Sequence, residues 1–253
     1  MNAIIIAAGS GKRISNDVRD TPKSMVNVGG KPIIEYQLSI LKNAGINEIY
    51  VITGPNSEKF NLNNVKYVKD QNYANHDILG SLMEAKDHLK NDVLVLYSDI
   101  IFELKIIQQI LDSKEDISIA VDMNWRKMYE GRTEHPISEA ENVLFNNTKK
   151  IMKIQKNIQD QNENIGEFLG IIKFSAKGSE LFVEKYNELI KNHTGIFHQA
   201  PSISKAYVTD IIQELIDSKI SVKPILISGK WCEIDTMEDL KVAEKIFSPN
   251  HVC

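Results

Sequence analysis

Cysteine is nearly absent: Cys232 and Cys253 are the only two in 253 residues. That excludes a disulfide framework and a thiolate metal cluster, and it makes a reduced setting the default. Long apolar runs are missing as well. None approaches the ~20 residues that span a bilayer. The first, Ala3 to Ala8, passes straight into Gly9-Ser10-Gly11-Lys12-Arg13 and is shorter than the ~7–15-residue core of a signal peptide. A soluble, cytoplasmic protein with no membrane partner is expected. Positive charge is not in excess, since 30 Lys+Arg face 34 Asp+Glu for a formal charge of −4. Nucleic acid is therefore not an expected partner. Internal repeats and low-complexity linkers are absent too, which sets aside solenoids and disordered chains.

What remains is an ordinary globular composition, 42% hydrophobic and 25% charged. The first 120 residues alternate strand and helix signals. Residues 3–7 (AIIIA), 48–53 (EIYVIT), 65–68, 93–97 (VLVLY) and 117–121 read as strands, the apolar ones as parallel strands covered on both faces. Residues 31–44, 79–89 and 104–111 read as helices. Pro32 suits the first turn of the first helix, and Gly45 suits its end. The second half is less regular, with strands expected near 143–145, 151–154, 168–174 and 222–227. Helices are expected near 178–191 and 205–218. A last helix starts at Thr236, where Thr236 and Asp239 have capping-box spacing. The fold class expected is α/β, a doubly wound and mostly parallel sheet with a smaller β-rich insertion. One domain, 1–253, is the economical division, with halves 1–121 and 122–253.

The strongest local signal is Ala7-Ala8-Gly9-Ser10-Gly11-Lys12-Arg13, directly after the first strand. Glycines at a strand's carboxyl edge let backbone N–H groups approach a phosphate, and Arg13 adds charge-assisted bonds. Two familiar phosphate loops do not fit. A P-loop needs Ser or Thr after Gly-Lys, and here Arg13 follows Lys12. A dinucleotide fingerprint needs a third glycine where Ile14 stands, and an acidic end to the second strand, which EIYVITG lacks.

A third pattern fits. AAGSGKR, then Thr21-Pro22-Lys23-Ser24-Met25, then Gly30-Lys31-Pro32-Ile33-Ile34 resembles the nucleotidyltransferases that activate sugar phosphates and small phosphorylated alcohols. The resemblance implies a Rossmann-like fold, transfer of a nucleoside monophosphate from an NTP, and release of pyrophosphate. It makes 1–121 the nucleotide-binding half and 122–253 the half that binds the acceptor and completes a metal site. It also makes Lys23 a transition-state phosphate contact, with Ala7 to Lys12 around the nucleotide and Asn75 and Ser81 touching it. The catalytic set so implied is Lys23, Arg13, Asp99 and Asp235.

Asp99 follows the apolar strand VLVLY, at the sheet edge that carries the glycine loop. Asp235 precedes the last helix in Trp231-Cys232-Glu233-Ile234-Asp235-Thr236. Strand-end aspartates also serve as turn formers or caps. The resemblance selects the other role, placing Asp99 and Asp235 as ligands of Mg²⁺, which takes one or two carboxylates plus phosphate oxygens and water. Glu233 is a candidate auxiliary.

The segment 122–136, DMNWRKMYEGRTEHP, concentrates Arg, aromatic and His residues. With Gly166-Glu167-Phe168-Leu169-Gly170 and the WCEID run, it resembles a narrower subgroup, cytidylyltransferases acting on phosphonates such as 2-aminoethylphosphonate and related to the phosphocholine enzymes. CTP and a small phosphonate or phosphorylated alcohol are then the expected partners. A phosphonate dianion calls for Arg126 or Arg132. An amino group calls for a carboxylate or an aromatic face, which points to Asp122, Glu167 and Trp231. His135 completes the acceptor set. Both arginines could equally be salt-bridge partners. The expected reaction is in-line attack of a phosphonate oxygen on the α-phosphorus of CTP, with no general base. Phosphocholine and sugar 1-phosphates are the alternative acceptors. A non-catalytic nucleotide-binding protein is disfavoured by the presence of Lys23, Asp99 and Asp235.

Overall fold

In the computed structural model, residues 1–9, 14, 21–159 and 164–247 are described. The strands in chain order are β1 (Asn2–Ala7), β2 (Asn27–Val28), β3 (Lys31–Pro32), β4 (Ile49–Thr53), β5 (Lys66–Lys69), β6 (Val93–Tyr97), β7 (Ile100–Phe102), β8 (Ile117–Asp122), β9 (Glu141–Phe145), β10 (Ile151–Lys156), β11 (Ile165–Phe174), β12 (Lys223–Leu226) and β13 (Trp231–Glu233). The helices are α1 (Ile33–Asn43), α2 (Ile78–Glu84), α3 (Leu104–Leu111), α4 (Ala176–Asn192), α5 (Val208–Asp217) and α6 (Met237–Phe247).

Nine of these strands form one sheet among the described residues. Its parallel part runs in the order β5-β4-β1-β6, with β1 at the centre. This is the doubly wound arrangement expected from the alternating pattern. The chain builds outward from β1 to β4 and β5, then returns to place β6 on the other side. Strand order reverses between β1 and β6, and their carboxyl ends diverge there to leave a crevice. The last described residues of the glycine loop follow β1 at this crevice, and Asp99 follows β6.

The apolar runs explain why β1 and β6 are central. Along β1, Ile4 and Ile6 pack into one core cluster while Ala3, Ile5 and Ala7 pack into another. Along β6, Val93 and Val95 join the first, and Leu94 and Leu96 the second. Successive side chains point to opposite faces, so only a strand apolar at every position can be covered on both.

The β-rich insertion is built around β11. This ten-residue strand, buried throughout, runs antiparallel to β6, β8 and β9. It is longer than the 168–174 segment expected, because its Ile165–Glu167 end pairs with β9, and Glu167 also with Asp122 of β8. The helix expected over 79–89 ends at Glu84, and a separate 3₁₀ turn covers Lys86–His88. The cap expected at Thr236 is present, with Asp239 N donating to Thr236 Oγ1 (3.3 Å) and Thr236 N to Asp239 Oδ2 (2.9 Å).

Candidate active site

At the end of β1, Ala8 lies directly against Gly54, where any Cβ would meet the Ala8 carbonyl oxygen at 2.6 Å. The strand end is thereby held flat, and Gly9 O accepts the N–H of Lys23 (3.2 Å). Pro22 leads into a single 3₁₀ turn, Lys23–Met25. That turn points the Lys23 side chain back into the crevice, where it is buried. Ser10, Gly11, Lys12 and Arg13 lie outside the described residues. Ala7 is in the core, and Ala8 and Gly9 line the crevice.

Lys23 joins residues from the two ends of the chain. Its ammonium donates to Asp99 Oδ2 at 2.8 Å and to Asp235 Oδ1. The pairing of β13 with β7 brings these carboxylates together. Glu233 stands opposite Ile100, and Ile234 N donates to Asp99 O at 2.9 Å, so Asp235 follows directly beside Asp99. Two carboxylates converging on one ammonium also offer the hard oxygen donors that suit Mg²⁺.

On one side of Lys23 is a cleft of about 620 Å³ lined by Ala8, Gly9, Tyr73, His76, Asp77 and Ser81. Behind it, Asp70 is buried at the end of β5 and accepts from Ser81 Oγ (2.7 Å), pairs with His76 Nε2 (2.8 Å) and accepts from Asn72 N (2.9 Å). The Ser81 hydroxyl proton is thus committed to Asp70, leaving its oxygen as an acceptor. Asn75 is exposed and does not line the cleft; His76 and Tyr73 stand there instead.

On the other side is a cleft of about 820 Å³ that shares Lys23 and Asp99 with the first. Its lining is acidic and aromatic, with Glu141, Glu167 and Glu233 beside Tyr97, Phe168, Tyr207 and Trp231. Glu167 is 3% exposed; Oε1 accepts from the Tyr129 hydroxyl, and Oε2 is buried without a hydrogen-bond partner among the described residues. Burial, and then the charge of Glu233, push the Glu167 carboxyl well above its usual range. Burial raises Glu233 too, with Asp99 adding to the effect. Glu141 is pushed up to about 7 by burial, against the opposing pull of Lys156. Burial is the first cause of all three displacements.

The model of the MobA-like NTP transferase domain matches residues 3–163. The chain belongs to this family. The resemblance read from AAGSGKR, Pro22-Lys23 and Gly30-Lys31-Pro32 is therefore correct at family level. A CTP:phosphoglutamine cytidylyltransferase of Campylobacter jejuni is 31% identical over 255 residues, spanning 96% of this chain and 98% of that protein. A choline-phosphate cytidylyltransferase of Streptococcus pneumoniae is 38% identical over 107 residues, 41% of this chain and 47% of that protein. In fold, the chain is similar to the solved CTP:phosphocholine cytidylyltransferase of S. pneumoniae, with a TM-score of 0.71, 23% identity, and 97% and 98% of the two chains covered. It is also similar to the inositol-1-phosphate CTP transferase of T. maritima, with a TM-score of 0.72, 19% identity, and 96% and 93% covered.

For this NTP transferase, the expected acceptor residues separate into two groups. Glu167, Trp231 and His135 line the larger cleft. Asp122, Arg126 and Arg132 do not. Asp122 ends β8 with both oxygens in use, Oδ2 accepting from Trp231 Nε1 (2.8 Å) and Oδ1 from Asn124 N (2.8 Å). It orients the indole and does not face the cleft. Arg126 is exposed and lies over the Trp125 ring, 4.7 Å from its centroid. Arg132 has a side chain only 3% exposed, and its Nε stands 3.1 Å from Asp239 Oδ1. Its charge is spent on that buried partner, the salt-bridge alternative noted for it. Sequence reasoning passed over Glu141, Lys156 and Tyr207 in the larger cleft, and Asp70 and His76 beside the other. Only the pairing of β10 with β9 and of β9 with β11 would have revealed the first two.

Proposed function

We propose that this protein is a Mg²⁺-dependent cytidylyltransferase. It moves CMP from CTP to a small acceptor with a phosphonate or phosphate at one end and an ammonium at the other, 2-aminoethylphosphonate being the simplest example. The observation that carries this reading is the pair of carboxylates Glu141 and Glu167 lining the same cleft as Lys23, Asp99 and Asp235. The curated relatives support CTP as the donor, since both named above are CTP-dependent by name. A reaction drawing on CTP also fits the cytoplasmic location expected from the sequence. No helix among the described residues is long and apolar enough to cross a membrane.

In this reaction an acceptor oxygen attacks the α-phosphorus of CTP, the bond to the bridging oxygen of the β-phosphate breaks, and pyrophosphate leaves with that electron pair. The attacking oxygen is already ionised near neutral pH, so the protein need remove no proton. Asp99 and Asp235 would hold Mg²⁺, which supplies charge neutralisation when bound. Lys23 stands between the two clefts and meets charge developing on the transferred phosphoryl group. The smaller cleft holds the nucleotide, with Ser81 offering an oxygen fixed by Asp70. Glu141 and Glu167 receive the ammonium and set the acceptor's direction.

A trimethylammonium acceptor is the second reading, favoured by the four aromatic rings of the lining. The buried Oε2 of Glu167 favours an N–H donor, because a quaternary ammonium has no hydrogen to give it. The test is pyrophosphate release with four NTPs against 2-aminoethylphosphonate, phosphocholine and glucose 1-phosphate. CTP with the amino acceptor should give the highest kcat/KM. Turnover confined to the sugar phosphate would overturn the reading.

A further inference from the structure

The chemistry proposed above leaves His135 without a task. It is 3% exposed, and its Nδ1 lies 3.0 Å from Asp239 Oδ2. That oxygen also accepts the backbone N–H groups of Asp235 and Thr236, so Nδ1 is the donor and Nε2 is the ring atom nearest Glu233 and Asp235. Nε2 makes no hydrogen bond among the described residues. Its nearest carboxylate oxygens are Glu233 Oε2 at 3.9 Å and Asp235 Oδ2 at 4.0 Å.

These separations are too long for hydrogen bonds. They match two ligands of one ion, because donor atoms ~2.0–2.2 Å from a metal stand about 3–4.4 Å from each other. The three ligand atoms all lie within 4.8 Å of one another. The outer contact is also of the kind a metal-binding histidine makes, its second N–H given to a carboxylate that fixes the tautomer and ring orientation. Asp235 has its two oxygens turned to different neighbours, Oδ1 to Lys23 and Oδ2 to His135.

We propose that His135 Nε2, Glu233 Oε2 and Asp235 Oδ2 form a binding site for a divalent transition-metal ion of the Mn²⁺, Co²⁺ or Zn²⁺ class. The site lies beside the Asp99–Asp235 pair and shares Asp235 with it. An imidazole nitrogen in the donor set selects this class over Mg²⁺, which prefers oxygen throughout. The inference does not depend on which nucleotide or acceptor the protein uses.

The test is titration of the full chain with Co²⁺, without nucleotide, followed by visible absorption and by NMR of paramagnetically shifted, exchangeable imidazole N–H signals. One Co²⁺ per chain and one such signal are expected. Glu233→Gln should weaken binding at least tenfold, since even outer contacts of metal ligands are worth about 10–100-fold. His135→Gln should remove the imidazole signal, with a melting curve reporting whether the variant folds. Asp99→Asn should leave Co²⁺ binding within about threefold, far short of that outer-contact range. The site is refuted if millimolar Co²⁺ does not bind. It is equally refuted if binding gives no imidazole signal and is lost in Asp99→Asn but kept in Glu233→Gln, which would put the ion in the Asp99–Asp235 pair. Neither result depends on cytidylyl transfer.

Discussion

Asp239 holds the backbone N–H of Asp235 at 3.0 Å, so a carboxylate that lines neither cleft positions one that faces Lys23. The same side chain is fully buried, caps α6 and pairs with Arg132.

Arg132→Ala therefore leaves Asp239 buried without its cation. A loss of about 3–5 kcal/mol is expected in urea unfolding, the usual cost of breaking a buried pair. The KM values for CTP and acceptor should rise together, because the damage passes through Asp235. A rise confined to the acceptor would return Arg132 to the cleft. Burial raises the Asp239 carboxyl, but the His135 hydrogen bond and the Arg132 charge outweigh it and hold it below its usual value. A depressed folded value contributes stability above the unfolded pKa and loses it as pH falls. The variant should accordingly unfold at a higher pH in an acid titration.

Glu141 carries the opposite sign. Its carboxyl rises from 4.5 to about 7 in the cleft. Its contribution to stability is complete below about pH 4.5 and is lost as pH climbs through about 7. Glu141→Gln should gain melting temperature over the parent across that window, read by calorimetry. In a chain of this size about 1 kcal/mol moves Tm by about 2–4 °C. An ammonium acceptor binds the ionised form, so the parent's acceptor KM should fall as pH approaches 8. The variant's should stay flatter.

Lys23→Met removes an ammonium that both Asp99 and Asp235 contact. A fall in kcat of about 10²–10³ is expected, the scale for losing one preorganised donor. Pyrophosphate release measures it, and circular dichroism checks that the fold persists.

Asp70→Asn leaves one acceptor oxygen where His76, Ser81 and Asn72 now share two. The CTP KM should rise about tenfold, equivalent to ~1.4 kcal/mol for a lost hydrogen bond. The acceptor KM should hardly move. Equal changes would assign Asp70 to the fold alone.

Gly170 sits on β11 at φ +66°, with the Tyr97 ring where a Cβ would be. Gly170→Ala should cost about 1–3 kcal/mol through backbone strain. It should also push Tyr97 into the cleft and raise the acceptor KM, while nucleotide binding measured by calorimetry stays near the parent value.

The legible parts of this protein are those decided by local pattern. Continuous apolar runs announced β1, β4 and β6, and residues following their ends, such as Gly9 and Asp99, had to lie at the crevice. Glu167 and Trp231 stood out by type and do reach the cleft. Arg126 and Arg132 did not reach it, because an arginine's role depends on its nearest carboxylate, and Asp239 lies 107 residues beyond Arg132. Glu141 and Lys156 were hidden for a related reason. Which face of β9 or β10 meets the cleft is set by the pairing of β9 with β11 and of β10 with β9, and nothing within either segment encodes that register.

One strand, β11, is hydrogen-bonded to β6 over Ile171–Phe174 and to β9 over Ile165–Glu167. The lining that bears Glu167 is thereby joined through one ladder to the strand that leads to Asp99. Their separation is set by the pairing of β11, whose register against β8 shifts between Phe168 and Ile172. The cleft is then a ruler, and slipping β11 by two residues would reset it by about 6.6–6.8 Å, too coarse a step to tell neighbouring chain lengths apart. On the function proposed above, fine selection between acceptors one methylene longer or shorter would fall to the side chains at 141 and 167. Relatives that have changed acceptor should differ there while keeping the register of β11.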